Sequence, residues 1–156
     1  MTPYAERIRA WLEENDVQAE FLSFGTSVHT VAEAVEATGQ PEDRITKSIV
    51  MIGPSERVII AMVPADTRAS TERVRKALGL AERPRTAAAE EMERHLGQLM
   101  GGNSPLNASG AEILIDPKVL EQDWIITGGG DDRSLVKIPT EELRRVVDYT
   151  EVRVRK

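Results

Sequence analysis

Two Ile- and Val-rich runs with a tight turn between them constrain this chain most. Residues 48–52 and 57–63 flank Gly53-Pro54-Ser55. Ile and Val branch at Cβ and suit an extended, pleated backbone. Gly-Pro-Ser is turn chemistry, so the two runs are read as an antiparallel hairpin. A strand with one wet face alternates apolar and polar residues. These runs hardly alternate, so both faces must be covered and the hairpin must be central. The rest of the chain has to supply the covering layers.

The flanking segments have the right character for that. Tyr4, Ile8, Trp11 and Leu12 recur at helical spacing, which predicts a first helix over residues 3–14. A strand through Phe21 and Leu22 follows. Thr30 with Glu33 three residues on is a capping box, and Gly39 stops the helix it starts. Ser70 caps a helix ended by Gly79, and Thr86 caps another ended near Gly97. Residues 113–115, 124–127 and 135–138 read as strands, and Pro139-Thr140-Glu141 opens a last helix. A closing strand is expected over residues 149–154. Short alternating elements of both kinds predict a mixed α+β domain rather than a helix bundle.

At 156 residues the chain is one domain, 1–156, and buries roughly 70% of its unfolded surface. It has no cysteine, which excludes thiol catalysis, disulfides and thiolate metal sites. No apolar run approaches the ~20 residues of a membrane span. Residues 1–16 read as an amphipathic helix rather than a signal peptide, so a cytoplasmic location is expected. The net charge is −6, unevenly spread. Residues 1–46 carry nine acids against three bases, whereas residues 68–85 carry six bases (Arg68, Arg73, Arg75, Lys76, Arg83, Arg85) against two acids. A basic stripe on an acidic body can contact phosphates without indiscriminate binding. Its plain alternative is a solvated helix face.

Standard nucleophile arrangements are absent: there is no G-x-S-x-G elbow and no phosphate loop with a following Lys. Only His29 and His95 could act as imidazole bases. His95 is read as a cation near a helix C-terminus, and His29 lies in a turn before a helix cap. No His pairs with Asp or Glu at metal spacing, so neither metal nor cofactor is expected. Three features remain. Lys47 begins an apolar strand, where an ammonium can reach a phosphate or a developing oxyanion. Gly101-Gly102-Asn103-Ser104-Pro105 lies in a long loop over residues 98–110 that holds little core material, and its paired glycines can aim N–H groups at a ligand. Thr127-Gly128-Gly129-Gly130 allows a second close approach of backbone, with Asp131 and Asp132 ready for a hydroxyl or an ammonium.

The order of these features resembles the YbaK-type aminoacyl-tRNA deacylases and the editing domain associated with prolyl-tRNA synthetase. His29-Thr30-Val31-Ala32-Glu33-Ala34 resembles the family's early turn and helix, and Ile45-Thr46-Lys47-Ser48-Ile49-Val50 its lysine strand. Gly101-Gly102-Asn103-Ser104-Pro105-Leu106 resembles its Ser-Pro loop, Thr127 to Gly130 its later glycine loop, and Ser134-Leu135-Val136-Lys137-Ile138-Pro139 the run into its final helix. The likeness spans residues 20–147. It departs where an aromatic and a glycine commonly follow the Ser-Pro pair, since Leu106 and Asn107 stand here.

The resemblance implies a mixed, largely antiparallel, partly barrel-like sheet surrounded by helices. It implies a catalytic Lys47 and hydrolysis of mischarged aminoacyl-tRNA carrying a small amino acid, with alanine or cysteine on tRNA for proline favoured. It also implies a binding site drawn from His29, Thr30, Met62, the two glycine loops and the hairpin. Met62 and Val63 are candidate pocket walls, with core packing as their plain alternative. The partners implied are the acceptor end of tRNA, with the six bases of the stripe as contacts, and a synthetase. Two further readings stay open: a non-catalytic module for tRNA ends or nucleotides, and a synthetase-associated interaction domain.

Overall fold

A computed structural model describes all 156 residues. The hairpin forms as expected. β2 (Thr46–Ile52) pairs antiparallel with β3 (Val58–Pro64), in register from Thr46 opposite Pro64 to Ile52 opposite Val58. Its turn does not use glycine's freedom. Gly53 is extended, and the left-handed positions fall on Ser55 (φ 61°) and Glu56 (φ 58°).

Every residue of β3 is buried, which explains the missing alternation. Val50 and Ile52 of β2, with Ile60 and Met62 of β3, face the main core, while Met51, Ile59, Ala61 and Val63 face a second one. The main core lies beneath α1 (Pro3–Glu14), which contributes Ile8 and Leu12. The second lies beneath α3 (Thr71–Leu78), which inserts Val74. Burial of such branched side chains is worth about 1.5–3 kcal/mol each, so the two-faced hairpin anchors the domain.

The hairpin is extended on both sides into a five-stranded sheet. β4 (Arg85–Thr86) pairs antiparallel with β2; β5 (Glu112–Ile115) runs parallel to β3; β8 (Thr150–Glu151) runs parallel to β5. A second sheet is antiparallel, with β7 (Ser134–Pro139) between β1 (Glu20–Ser23) and β6 (Trp124–Gly128). The two sheets touch along one line. Ile45 bridges Ile126 in parallel, and the Thr46 hydroxyl donates to the Ile126 carbonyl at 2.9 Å. They do not close into a barrel. α2 (Val31–Thr38), α4 (Ala89–Leu96), α5 (Pro117–Leu120) and α6 (Thr140–Val146) complete the layers.

Three expectations need correction. Thr86 is not a helix cap. It is a strand residue paired with Met51, and α4 begins at Ala89, where the Glu91 carboxylate accepts the Ala88 N–H at 2.9 Å. The closing strand is shorter than residues 149–154, because Val154 and Arg155 turn inward to donate their N–H groups to buried Asp116. The loop over residues 98–110 is also not poor in core. Leu106 and Ala108 belong to the main core, Leu106 with no exposed surface. No helix is long and apolar enough to cross a membrane.

Candidate functional site

The line where the two sheets touch borders a cleft of about 300 Å³. Its first wall is the entry to α2. Thr30 Oγ1 accepts the Glu33 N–H at 3.1 Å, and the Glu33 carboxylate accepts the Thr30 N–H at 3.0 Å and the Ser27 hydroxyl at 3.2 Å. The Thr30 N–H and those neighbours hold the Glu33 carboxyl below its ordinary range. The box fixes His29 and Thr30 on the rim, with Val28, Val31 and Ala34 beneath.

The second wall is β2, from Ile45 to Val50, supported by Leu135 of β7. Lys47 stands on it, half-buried. Burial, with the nearby Arg68 guanidinium, pushes the Lys47 ammonium below the usual lysine value, while Asp66 and Glu42 oppose that shift. Ser48 points to the opposite strand face and is 8% exposed, and its hydroxyl makes no hydrogen bond within the protein. Met100, at 45% exposure, and Thr86 also line the cleft, as does Met92 of the main core.

The third wall is the glycine-rich loop, and its shape comes from a residue that sequence reasoning passed over. Gln98 is buried. Its Oε1 accepts the Ser104 N–H at 3.0 Å, and its Nε2 donates to the Ser104 and Leu106 carbonyls at 3.0 and 3.4 Å. Ser104 Oγ accepts the Leu106 N–H at 3.1 Å. Ser104 and Pro105 are therefore buried turn residues and do not line the cleft, whereas Gly101 and Asn103 do. His29 lies against Gly101, where a Cβ would sit 1.8 Å from its Nδ1; with φ at +91°, only glycine fits there.

Gly102 and Gly128 pack the two loops on each other. A Cβ on Gly102 would meet the Asp131 backbone at 2.3–2.6 Å, and one on Gly128 would meet the Asn103 carbonyl at 2.3 Å. Gly130 packs on the Tyr4 carbonyl and Gly129 on Ser134. The N–H groups of Gly102, Gly129 and Gly130 already donate to Leu99, Ser134 and Gly102. The expectation that these three glycines face a ligand is thus corrected: of the second loop, only Gly128 reaches the cleft. The Gly101 and Asn103 N–H groups have no partner within the protein and remain as donors.

Asp131 is not a free ligand group. It is 3% exposed and accepts the Thr2 hydroxyl at 2.6 Å and the Arg133 N–H at 3.0 Å. Burial raises its pKa, but the hydrogen bonds led by Thr2 outweigh it and hold the carboxyl below the usual range. Met62 and Val63 are fully buried in separate cores and are not cleft walls, because a core packs against each face of β3, the main one beneath α1 and the second beneath α3. Thr127 is 1% exposed, beneath the cleft rather than on its surface, and its hydroxyl lacks a partner.

The basic stripe divides. Arg75 and Arg83 both pair with Glu72, and Arg85 pairs with Glu91. Arg68, Arg73 and Lys76 are exposed and make no ion pair within the protein. None of the six lines the cleft. No cluster of three His, Asp or Glu side chains has the spacing to hold a metal ion. Ser48, Gln98 and Met100 are the site residues that sequence reasoning missed. A serine inside an apolar strand run was the one visible signal.

The fold recurs in solved structures. The chain superposes on a candidate trans-editing enzyme for prolyl tRNA synthetase with a TM-score of 0.89, at 22% identity, over 100% of this chain and 99% of that one. It superposes on the hypothetical protein APE2540 with a TM-score of 0.87, at 22% identity, over 96% and 99%. The uncharacterized protein YwhH of Bacillus subtilis (strain 168) is 27% identical over 134 residues, covering 85% of this chain and 82% of YwhH. The model of the aminoacyl-tRNA editing domain matches residues 26–146, a span holding all three cleft walls, and the chain accordingly belongs to the aminoacyl-tRNA editing domain family.

Proposed function

We propose that this protein is a free-standing deacylase that hydrolyses the ester of tRNA mischarged with a small amino acid. Alanine and cysteine on tRNA for proline are the first candidates. The observation that carries the reading is the cleft itself, with Lys47 on one wall and the unpaired Gly101 and Asn103 N–H groups on another. Its volume is at the low end of ligand pockets, which run from roughly 300 to 1,000 Å³. A small aminoacyl group suits it and a bulky one does not.

An aminoacyl ester needs a placed water and a stabilised oxyanion more than a strong nucleophile. In the proposed step, water oxygen bonds to the ester carbonyl carbon and the former carbonyl oxygen takes up negative charge. The Gly101 and Asn103 N–H groups are the donors available to it. The bond to the ribose oxygen then breaks, and that oxygen leaves as a hydroxyl with the proton given up by the attacking water. Lys47 binds the terminal phosphate or polarises the ester, and either role needs its positive charge. Arg68, Arg73 and Lys76 are the cations left to meet the acceptor stem. The paired Arg75, Arg83 and Arg85 are less available. Such an enzyme works where tRNA is charged, in the cytoplasm, either alone or beside a synthetase.

The test incubates purified protein with alanyl-, cysteinyl- and prolyl-tRNA for proline and follows ester loss. Wild type is expected to release alanine or cysteine, and Lys47→Ala to lose most of that activity while staying folded. Full activity in Lys47→Ala would reject the mechanism. Binding of tRNA with no ester loss in wild type would favour a binding module.

A further inference from the structure

Three carboxylates are buried in this protein: Glu91, Asp116 and Asp131. A buried charge is ordinarily held by an opposite one. Glu91 pairs with Arg85 and Asp116 with Arg155, each at 2.7 Å, but no cation pairs with Asp131. The donors that reach it are neutral, the Thr2 hydroxyl at 2.6 Å and the Arg133 N–H at 3.0 Å foremost. Arg133 binds within its own turn, so Thr2 is the group that ties this loop to another element. Thr2 is also the N-cap of α1, where its Oγ1 accepts the Ala5 N–H at 3.3 Å. The start of α1 therefore backs onto the second glycine loop, and Gly130 packs so closely there that a Cβ would lie 2.6 Å from the Tyr4 carbonyl oxygen. That loop in turn holds the first. The Leu99 N–H donates to the Gly130 carbonyl at 2.9 Å, and the Gly130 N–H donates to the Gly102 carbonyl at 2.8 Å. The Asp131 backbone fills the space that a Gly102 Cβ would need. Gly102 lies between Gly101 and Asn103, whose N–H groups are the free donors of the cleft. A continuous line of contacts thus runs from Thr2 through Asp131 and Gly102 to both donors, and none of those three residues lines the cleft.

We propose that Thr2 and Asp131 are positioning residues for deacylation, which hold the loop over residues 101–103 from behind so that its two N–H groups meet the developing oxyanion. The inference rests on the deacylase reading above and adds to it a pair of residues outside the cleft. A hydroxyl bonded to a carboxylate makes a short, charge-assisted bond, about twice as strong as one between neutral groups. Such a bond resists the loop's displacement better than glycines and turn contacts alone. Depth matters because an oxyanion donor is effective only within about 2.7–3.1 Å of the charge, and a misplacement of about 1 Å can cost roughly 100-fold in rate. Lys47 and the exposed cations of the stripe take no part in this line of contacts, so substrate binding survives its loss. A defect confined to the transition state lowers kcat and leaves KM where it was.

The experiment measures kcat and KM on alanyl- and cysteinyl-tRNA for proline, with each protein assayed well below its own Tm. The variants are Thr2→Val, Thr2→Ser, Asp131→Ala, the Thr2→Val/Asp131→Ala double and Leu12→Ala. Leu12 is a buried α1 residue that packs in the main core and does not line the cleft, so its truncation loosens α1 and leaves the Thr2 bond in place. Thr2→Val keeps the side-chain shape and should lower kcat at least about tenfold, with KM within about twofold of wild type. Thr2→Ser keeps the hydroxyl and should restore kcat. Asp131→Ala should fall as far as Thr2→Val, and the double no further, because the two side chains act as one unit. Leu12→Ala should lower Tm and keep kcat. A Thr2→Val protein with wild-type kcat would overturn the inference and leave the deacylase reading standing. A rise in KM with kcat unchanged would place the pair in tRNA binding, and an equal kcat loss in Leu12→Ala would assign the effect to a loosened fold; either would also overturn it. No ester loss in wild type would overturn both.

Discussion

Gly102→Ala probes the contact that shapes the site. An added Cβ would lie 2.3, 2.4 and 2.6 Å from the O, N and C atoms of Asp131, whereas ordinary contact begins at 3.4 Å. Those atoms are backbone and cannot swing aside, so the two loops must part by about an ångström. Overpacking of this kind costs about 1–3 kcal/mol. Parting the loops also strains the Gly130 N–H bond to the Gly102 carbonyl (2.8 Å) and the Asp131 bond to Thr2, at about 0.5–1.5 kcal/mol for each bond lost. A total of about 2–6 kcal/mol is expected, or about 4–24 °C in Tm for a domain of this length. Urea unfolding of wild type and variant measures it. Gly25→Ala is the control: nothing lies within 4 Å of its added Cβ, so it should stay within about ±0.5 kcal/mol. Gly128→Ala pushes the same loops apart through the Asn103 and Gly102 carbonyls. The double variant should therefore cost less than the two singles together, by about 0.5–3 kcal/mol of coupling. A Gly102→Ala protein as stable as Gly25→Ala, or strict additivity with Gly128→Ala, would refute the loop-packing account.

Gln98→Ala strips the buried staple from Ser104 and Leu106 and should cost about 2–4 kcal/mol in urea unfolding; a loss below about 1 kcal/mol would show that the loop holds its shape without it. The Arg85 guanidinium and the Ala88 N–H hold the Glu91 carboxyl down to about 2, against an ordinary 4.5. A depressed carboxyl stabilises the fold above its unfolded pKa. That contribution is therefore present at neutral pH and is lost as pH falls from 4.5 toward about 2. The Tm gap between wild type and Glu91→Gln should close over that window in an acid titration. Because burial and Arg68 lower the Lys47 pKa, deacylation should fall on the alkaline side earlier than for an ordinary lysine; Arg68→Ala should move that fall to higher pH, read from background-corrected pH–rate profiles.

How much of this was legible in the sequence varies from residue to residue. The hairpin was visible because Ile and Val declare a strand locally and missing alternation declares burial on both faces. The Thr30–Glu33 box and the stop at Gly39 were visible because caps act within one turn. Thr86 was misread because a lone hydroxyl before a helical stretch looks like a cap, and only pairing with Met51 across the sheet makes it a strand residue. Asp131 and Met62 look like ligand and wall until the chain around them is placed. Then Thr2, 129 residues away, satisfies the first, and the core encloses the second.

By itself the sequence determined the local elements, the central hairpin and the order of motifs that marks the family. Those follow from backbone preference, side-chain branching and spacing, which act over a few residues. Tertiary structure alone decided which glycines face the cleft and which pack loop on loop. It also decided that Gln98 staples the Ser-Pro turn, and that the Ser48 and Thr127 hydroxyls are buried without a partner. Each of these depends on contacts between segments far apart in the chain, and packing and burial settle such contacts only when every layer is in place.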